Sequence, residues 1–258
     1  MEPVTSADGT SIAVHQTGTG DPVVIVNGAF STARDGAAIA EALAARGYRA
    51  ITYDRRARGD SGDTAPFAPE REAEDLAAVI AAAGAPAAVL GHSSGAVLAL
   101  YAAALGVPVR HLFLSEPPFH FGADESDPTL PDRLQALVDA GEPGEAVVVF
   151  QREGIELPEA MIDQIRQSPL FEGLTALAQS TVYDATLTRD VSTPTTQMVE
   201  VDAPVTLLCG AQTFPFLSGA AQRLSQAMPA AELVTVPEFV MHRVDPEAAA
   251  RIVADRLG

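Results

Sequence analysis

The chain has 258 residues, with 16 Lys plus Arg against 34 Asp plus Glu and a formal net charge of −18. Hydrophobic residues make up 47% and charged residues 19%, the usage of a folded globular protein, which excludes disorder and a fibrous class. Every basic side chain is Arg, so this acidic chain has little material for the basic patch that a nucleic-acid partner requires.

Met1-Glu2-Pro3-Val4 has neither a basic nor an apolar leader region, and no run approaches the ~18 apolar residues of a membrane span. The expectation is a cytoplasmic protein with no membrane association. Asp8-Gly9 between the strand-like runs 4–6 and 11–15 predicts a β-hairpin. Strand and helix patterns then alternate: strand over 23–26, helix over 37–45, strand over 48–53, helix over 69–83, strand over 87–90, helix over 95–105 and strand over 109–115. That alternation predicts βαβ units and a parallel sheet. From 117 to 202 the pattern changes to Pro-rich turns, acidic loops and amphipathic stretches such as 130–140 and 158–166, which reads as a helical insertion. The sheet pattern resumes with strand over 204–209, helix over 219–228, strand over 232–236 and a last helix over 246–257, with Asp245 as its N-cap and Pro246 in its first turn. Two domains are expected: a core of 1–116 and 203–258, and a helical lid of 117–202.

Cys209 is the sole cysteine and sits in an apolar run, so it reads as a small buried hydrophobe rather than a nucleophile. Gly91-His92-Ser93-Ser94-Gly95 fits G-x-S-x-G, a short pattern that gains specificity from its context. A buried strand runs into it and a small-residue helix runs out, so a sharp turn presents the Ser93 hydroxyl above the sheet. A serine hydroxyl needs a neighbouring base. Of the other histidines, His111 begins a strand, His15 belongs to the hairpin and His92 occupies the variable elbow position, whereas His242 follows the last strand and a loop.

With these motifs the chain resembles the α/β-hydrolase fold superfamily over nearly its whole length. Asn27-Gly28-Ala29-Phe30 stands where the family usually has His-Gly-X, and residues 54–61 resemble its D-x-R-G-x-G-x-S loop. The resemblance implies a mostly parallel sheet flanked by helices, with the lid inserted after the sixth strand. It implies Ser93 as nucleophile, His242 as base, and an oxyanion hole from the backbone N–H groups of Ala29 and Ser94. The family usually carries its acid shortly after the seventh strand, but Gly210-Ala211-Gln212-Thr213-Phe214-Pro215 contains no carboxylate. A branch typified by some haloalkane dehalogenases places the acid at the end of the sixth strand, where this chain has Glu116; the alternatives are Asp184, Asp190, or a Ser–His pair, working or dead, without an acid. Phe30, His92 and His120 are candidate substrate contacts, and Phe119, Phe121, Phe150, Phe171 and Tyr183 either line the pocket or form the lid's own core.

The expected activity is cleavage of a carboxylic ester, lactone or thioester through an acyl-enzyme on Ser93. The alternatives are a non-hydrolytic enzyme of the same fold (C–C cleavage, acyl transfer or cyclisation) and a ligand-binding protein without turnover. The partner expected is a small-molecule substrate; neither a cofactor fingerprint nor metal-ligand spacing occurs, and the sequence does not set the oligomeric state.

Overall fold

Strands inside a parallel sheet are buried on both faces, and successive side chains alternate between the layers that cover them. The computed structural model describes residues 3–84, 86–123 and 127–258. Met1 and Glu2 of the N-terminal reading, and 124–126 of the expected insertion, lie outside them. The strands are β1 (Val4–Thr5), β2 (Ser11–Ile12), β3 (Val14–Thr17), β4 (Pro22–Val26), β5 (Arg49–Tyr53), β6 (Ala87–His92), β7 (Val109–Ser115), β8 (Val205–Gln212) and β9 (Glu232–Val240). The main sheet has seven strands in the order β3-β5-β4-β6-β7-β8-β9, parallel throughout except for the antiparallel edge strand β3.

The alternation is plain on β4. Val23 and Ile25 pack toward α1 (Ala37–Ala44) and α11 (Pro246–Leu257), in one core with Leu43, Ala249 and Val253. Val24 and Val26 pack the other way, with Leu76 of α2 (Pro69–Ala82) and Leu98 of α3 (Ser94–Ala104). Each such fully buried aliphatic side chain contributes about 1.5–3 kcal/mol, so the two helical layers hold the strand ends in fixed relation. Asp245 caps α11 as expected, accepting from the Ala248 N–H at 2.8 Å.

The predicted hairpin divides. β1 and β2 pair as a separate antiparallel ribbon, with Gly9 at φ 88° in the turn, while β3 leaves it to pair with β5. β8 and β9 run on to Gln212 and Val240, further than their apolar runs suggest, because a register shift after Gly210 lets pairing resume at Gln212↔Val240. The helix after β8, α10 (Pro215–Ala227), begins already at Pro215, which suits a first-turn position because its missing N–H would be unpaired there.

Between β7 and β8 the chain is helical: α4 (Leu130–Asp139), α5 (Pro143–Val149) with a π-helical turn (Phe150–Gly154), α6 (Glu159–Arg166), α7 (Leu170–Thr175), α8 (Ala178–Asp190) and α9 (Thr196–Val199). α4, α5 and α8 share a small core around Leu134, Val147 and Tyr183, against which Ala29, Phe30 and Phe67 pack. Among the described residues no helix is long and apolar enough to cross a membrane.

Candidate active site

Ser93 lies between β6 and α3 at φ 54° and ψ −127°. That region costs a non-glycine residue about 1–3 kcal/mol, so the surroundings must enforce it. They do so by close approach: a Cβ on Gly95 would sit 2.2 Å from the Val26 carbonyl oxygen, and one on Gly91 would sit 2.6 Å from the Ala96 Cα. The glycines therefore let α3 start directly against β4 and β6. The Ser93 N–H donates to the Ser115 carbonyl at 2.9 Å, which ties the turn to β7.

Glu116, the residue directly after β7, is at φ 48° and 1% exposed. Its Oε1 accepts from the Gly210 N–H at 2.8 Å, and its Oε2 is hydrogen-bonded to Nδ1 of His242. Burial opposes ionisation of this carboxyl, but the bonds from His242 and Gly210 outweigh it and hold the group below the ordinary carboxylate range. An ionised carboxylate only accepts, so Nδ1 is the nitrogen that donates to it, and in the neutral imidazole Nε2 keeps its lone pair. His242 itself follows β9 in a tight turn: Met241 and His242 are at φ 52° and 61°, and the Arg243 N–H returns to the Val240 carbonyl at 3.1 Å. Positive φ at both central residues is the pattern of a type I′ turn, which glycine and asparagine usually supply. The imidazole stands beside the elbow, its ring centroid 4.5 Å from that of His92.

The loop after β4 lies against the serine. A Cβ on Gly28 would come within 2.9 Å of the Ser93 Cβ and 3.5 Å of its Oγ. Asn27, at the position of the resembled family's usual histidine, closes this loop by donating from Nδ2 to the Thr32 carbonyl at 2.8 Å. Ser94 opens α3, so its N–H has no partner within the helix and stands at the positive end of the helix dipole. Below these backbone groups is a buried polar cluster. Arg55 donates from Nε and Nη2 to Glu72 at 2.8 and 2.7 Å, and from Nη1 to Asp184 at 3.0 Å and the Ser94 hydroxyl at 3.1 Å. Arg58 donates to the Gly28 carbonyl at 2.9 Å and to Asp184 at 2.8 Å.

A model of the alpha/beta hydrolase family matches residues 23–253. The chain belongs to the α/β-hydrolase family. An α/β hydrolase from Sphaerobacter thermophilus is 40% identical, with a TM-score of 0.92 and full coverage of both chains. An esterase from a Rhodococcus species is 23% identical at a TM-score of 0.70, covering 100% of this chain and 99% of its own. An enol-lactonase from Burkholderia xenovorans is 19% identical at a TM-score of 0.70, with 99% of each chain covered. No curated protein matches it in sequence.

In this hydrolase the remaining sequence candidates are distributed as follows. Asp184 is not available to the imidazole, because Arg55, Arg58 and Ser94 occupy its oxygens. Asp190 pairs with Arg189 on the surface. His92 packs against His242 and bonds through Nδ1 to the Ser115 hydroxyl at 3.3 Å; burial, together with the neighbouring His242, pushes its pKa down to about 3. His120 lies against Phe216, ring centroids 4.7 Å apart, and Phe30 meets Phe150 edge-on at 5.4 Å. Phe119 is fully buried in the main core, which takes it off the list of lining residues, and Tyr183 stacks on Phe67 and donates to Asp63. Cys209 is buried on β8, its thiol pKa raised by burial and by the charge of Glu116. A surface cavity of about 250 Å³ beside His15, Thr32 and Asp54 includes no residue of the elbow or of the His242 turn. Sequence reading missed Arg55 and Arg58, whose partner Asp184 is distant along the chain.

Proposed function

We propose that the chain is a serine hydrolase that cleaves a carboxylic ester, lactone or thioester through an acyl-enzyme on Ser93. The observation that carries this reading is the Glu116–His242 hydrogen bond, formed beside a strained serine at a strand-to-helix turn. Glu116 fixes the tautomer in which Nε2 is the base. His242 takes the Ser93 proton as Oγ adds to the substrate carbonyl, and the oxyanion is met by the N–H groups of Ala29 and Ser94. The imidazolium, stabilised by Glu116, returns the proton to the leaving group. Water then adds to the acyl-enzyme by the same route, restoring Ser93 and releasing the acid. Residues 117–202 act as the lid: the packing of α4, α5 and α8 on Ala29 and Phe30 supports an apolar cover over the reacting carbonyl. The esterase and the enol-lactonase of like fold make simple acyl esters and lactones the first substrates to test.

The test is intact-mass analysis after treatment with a fluorophosphonate. Wild type should gain one adduct, and Ser93→Ala and His242→Ala should gain none. An unlabelled wild type would overturn this reading and favour non-hydrolytic chemistry or ligand binding.

A further inference from the structure

We propose that Arg58 and Asp184 are positioning residues for the oxyanion hole, coupling helix α8 to both of its backbone donors. The proposal rests on the reading of Ser93 as nucleophile.

In a trans peptide the carbonyl and the following N–H point in opposite directions. Arg58 grips the Gly28 carbonyl at 2.9 Å, so the N–H of the same peptide unit, which belongs to Ala29, is turned away from the guanidinium. Arg55 reaches the preceding carbonyl, that of Asn27, at 3.4 Å. Two successive carbonyls are thus held on one side, and their N–H groups are presented on the other, the arrangement of a backbone anion nest. The second donor is governed from the same place, because the Ser94 hydroxyl donates to Asp184 Oδ1 at 2.8 Å and thereby fixes the residue whose N–H completes the hole. Asp184 Oδ2 accepts from Arg58 Nη2 at 2.8 Å, so one carboxylate on α8 anchors both arms.

The charges also point to positioning rather than ligand binding. Arg55 and Arg58 are matched by Glu72 and Asp184, all 1% exposed or less, so the cluster has no net charge with which to attract an anionic substrate. In the D-x-R-G-x-G-x-S pattern Arg55 and Arg58 occupy variable positions; the patterned arginine is Arg56, which pairs elsewhere, with Asp75 and Asp8. The patterned glycine is Ala57, held at φ 58° between them.

The test compares Arg58→Met with Asp75→Asn. Asp75 is an equally buried ion-pair partner of the same loop, but it holds Arg56, which bonds to neither arm of the hole. Wild type is first shown to label at Ser93 and to turn over an acyl ester. Arg58→Met should then lower kcat by about 10²–10³, the effect of losing one oxyanion donor, with KM changed by less than about threefold. The inhibition constant of a trifluoromethyl ketone, whose adduct is an oxyanion, should rise by the same factor. Asp75→Asn should keep kcat within about fivefold of wild type. Equal kcat losses in the two variants, or a folded Arg58→Met with wild-type kcat, would overturn the proposal while leaving the acyl-enzyme reading standing. Absence of labelling in wild type would overturn both. Should Arg58→Met not fold, Arg58→Lys decides: its ammonium keeps the charge but puts one nitrogen where the guanidinium sets two, one on Gly28 and one on Asp184, so kcat should fall at least about tenfold, and an unchanged kcat refutes the proposal.

Discussion

Replacing Glu116 with glutamine tests the site most sharply, because the consequence follows from two hydrogen bonds. Oε1 serves the buried Gly210 N–H and Oε2 serves His242. The amide retains one oxygen, and leaving a buried N–H unpaired costs about 1–3 kcal/mol, so that oxygen stays with Gly210. The side-chain NH2 then faces Nδ1, and two donors cannot share a bond. The imidazole must shift its proton to Nε2, which now offers Ser93 an N–H where it needs a lone pair. An acid-to-amide change that inverts the tautomer in this way lowers turnover by about 10⁴, or ~5.5 kcal/mol of barrier. The fold should survive, since shape and the Gly210 bond are kept; each kcal/mol lost would move Tm by only about 2–4 °C in a chain of this size. The assay is steady-state kcat on an ester that wild type turns over, alongside thermal unfolding and the ¹⁵N shifts of the His242 ring. A folded Glu116→Gln protein with kcat within tenfold of wild type would refute the reasoning.

Other outcomes follow from the packing and the charges. Gly95→Ala should fail to fold or lose several kcal/mol in urea titration, because the added Cβ would meet the Val26 and Asn27 carbonyl oxygens at 2.2 and 2.6 Å. Gly173→Ala in α7 meets nothing within 4 Å and should stabilise by about 0.5–1 kcal/mol. Cys209 should resist iodoacetamide in the native protein and react only on unfolding, as expected of a buried thiol with a raised pKa. His92, at about 3 in the fold against an ordinary 6.5, binds a proton more readily once unfolded. Its contribution to stability is therefore complete above about pH 6.5 and is lost as pH falls toward about 3, by at most about 1.4 kcal/mol per pH unit. Urea midpoints of wild type and His92→Phe between pH 4.5 and 6.5 should show a flatter profile in the variant; parallel profiles would contradict the shift.

The strands and the elbow were legible in the sequence because each is written locally, and the resemblance directed attention to the carboxylate after β7. The apolar run of β7 ends at Ser115, with a carboxylate immediately after it, and the glycines around Ser93 state the turn in five residues. α8 was not legible. Ser180, Thr181, Val182, Tyr183, Asp184, Ala185 and Leu187 are all buried, so the helix has no polar stripe to give it a period. Its hydroxyls are satisfied by its own carbonyls, Ser180 to Leu177 and Thr181 to Ala178, which makes polar residues compatible with burial without marking the sequence. The meeting of Arg55, Arg58 and Asp184 follows from how β5, α3 and α8 pack, and no local window contains it. The longer β8 and β9 depend likewise on a register shift that only the paired strands define.

Ser93, Glu116 and His242 share one feature that does not depend on the order of proton transfers: all three have positive φ, at 54°, 48° and 61°. None of these side chains is at home in that conformation, and glycine at any of the three would relieve it. Selection for thermal stability alone, blind to turnover, should therefore drift toward glycine at Ser93, whereas at Glu116 and His242 the relief is offset by the buried hydrogen bonds those side chains make. Phe30, Ala57, Phe121, Glu156 and Met241 also have positive φ, so a laboratory lineage that gains heat resistance through glycine would mark strained backbone in several places, the proposed nucleophile among them, without a substrate ever being supplied.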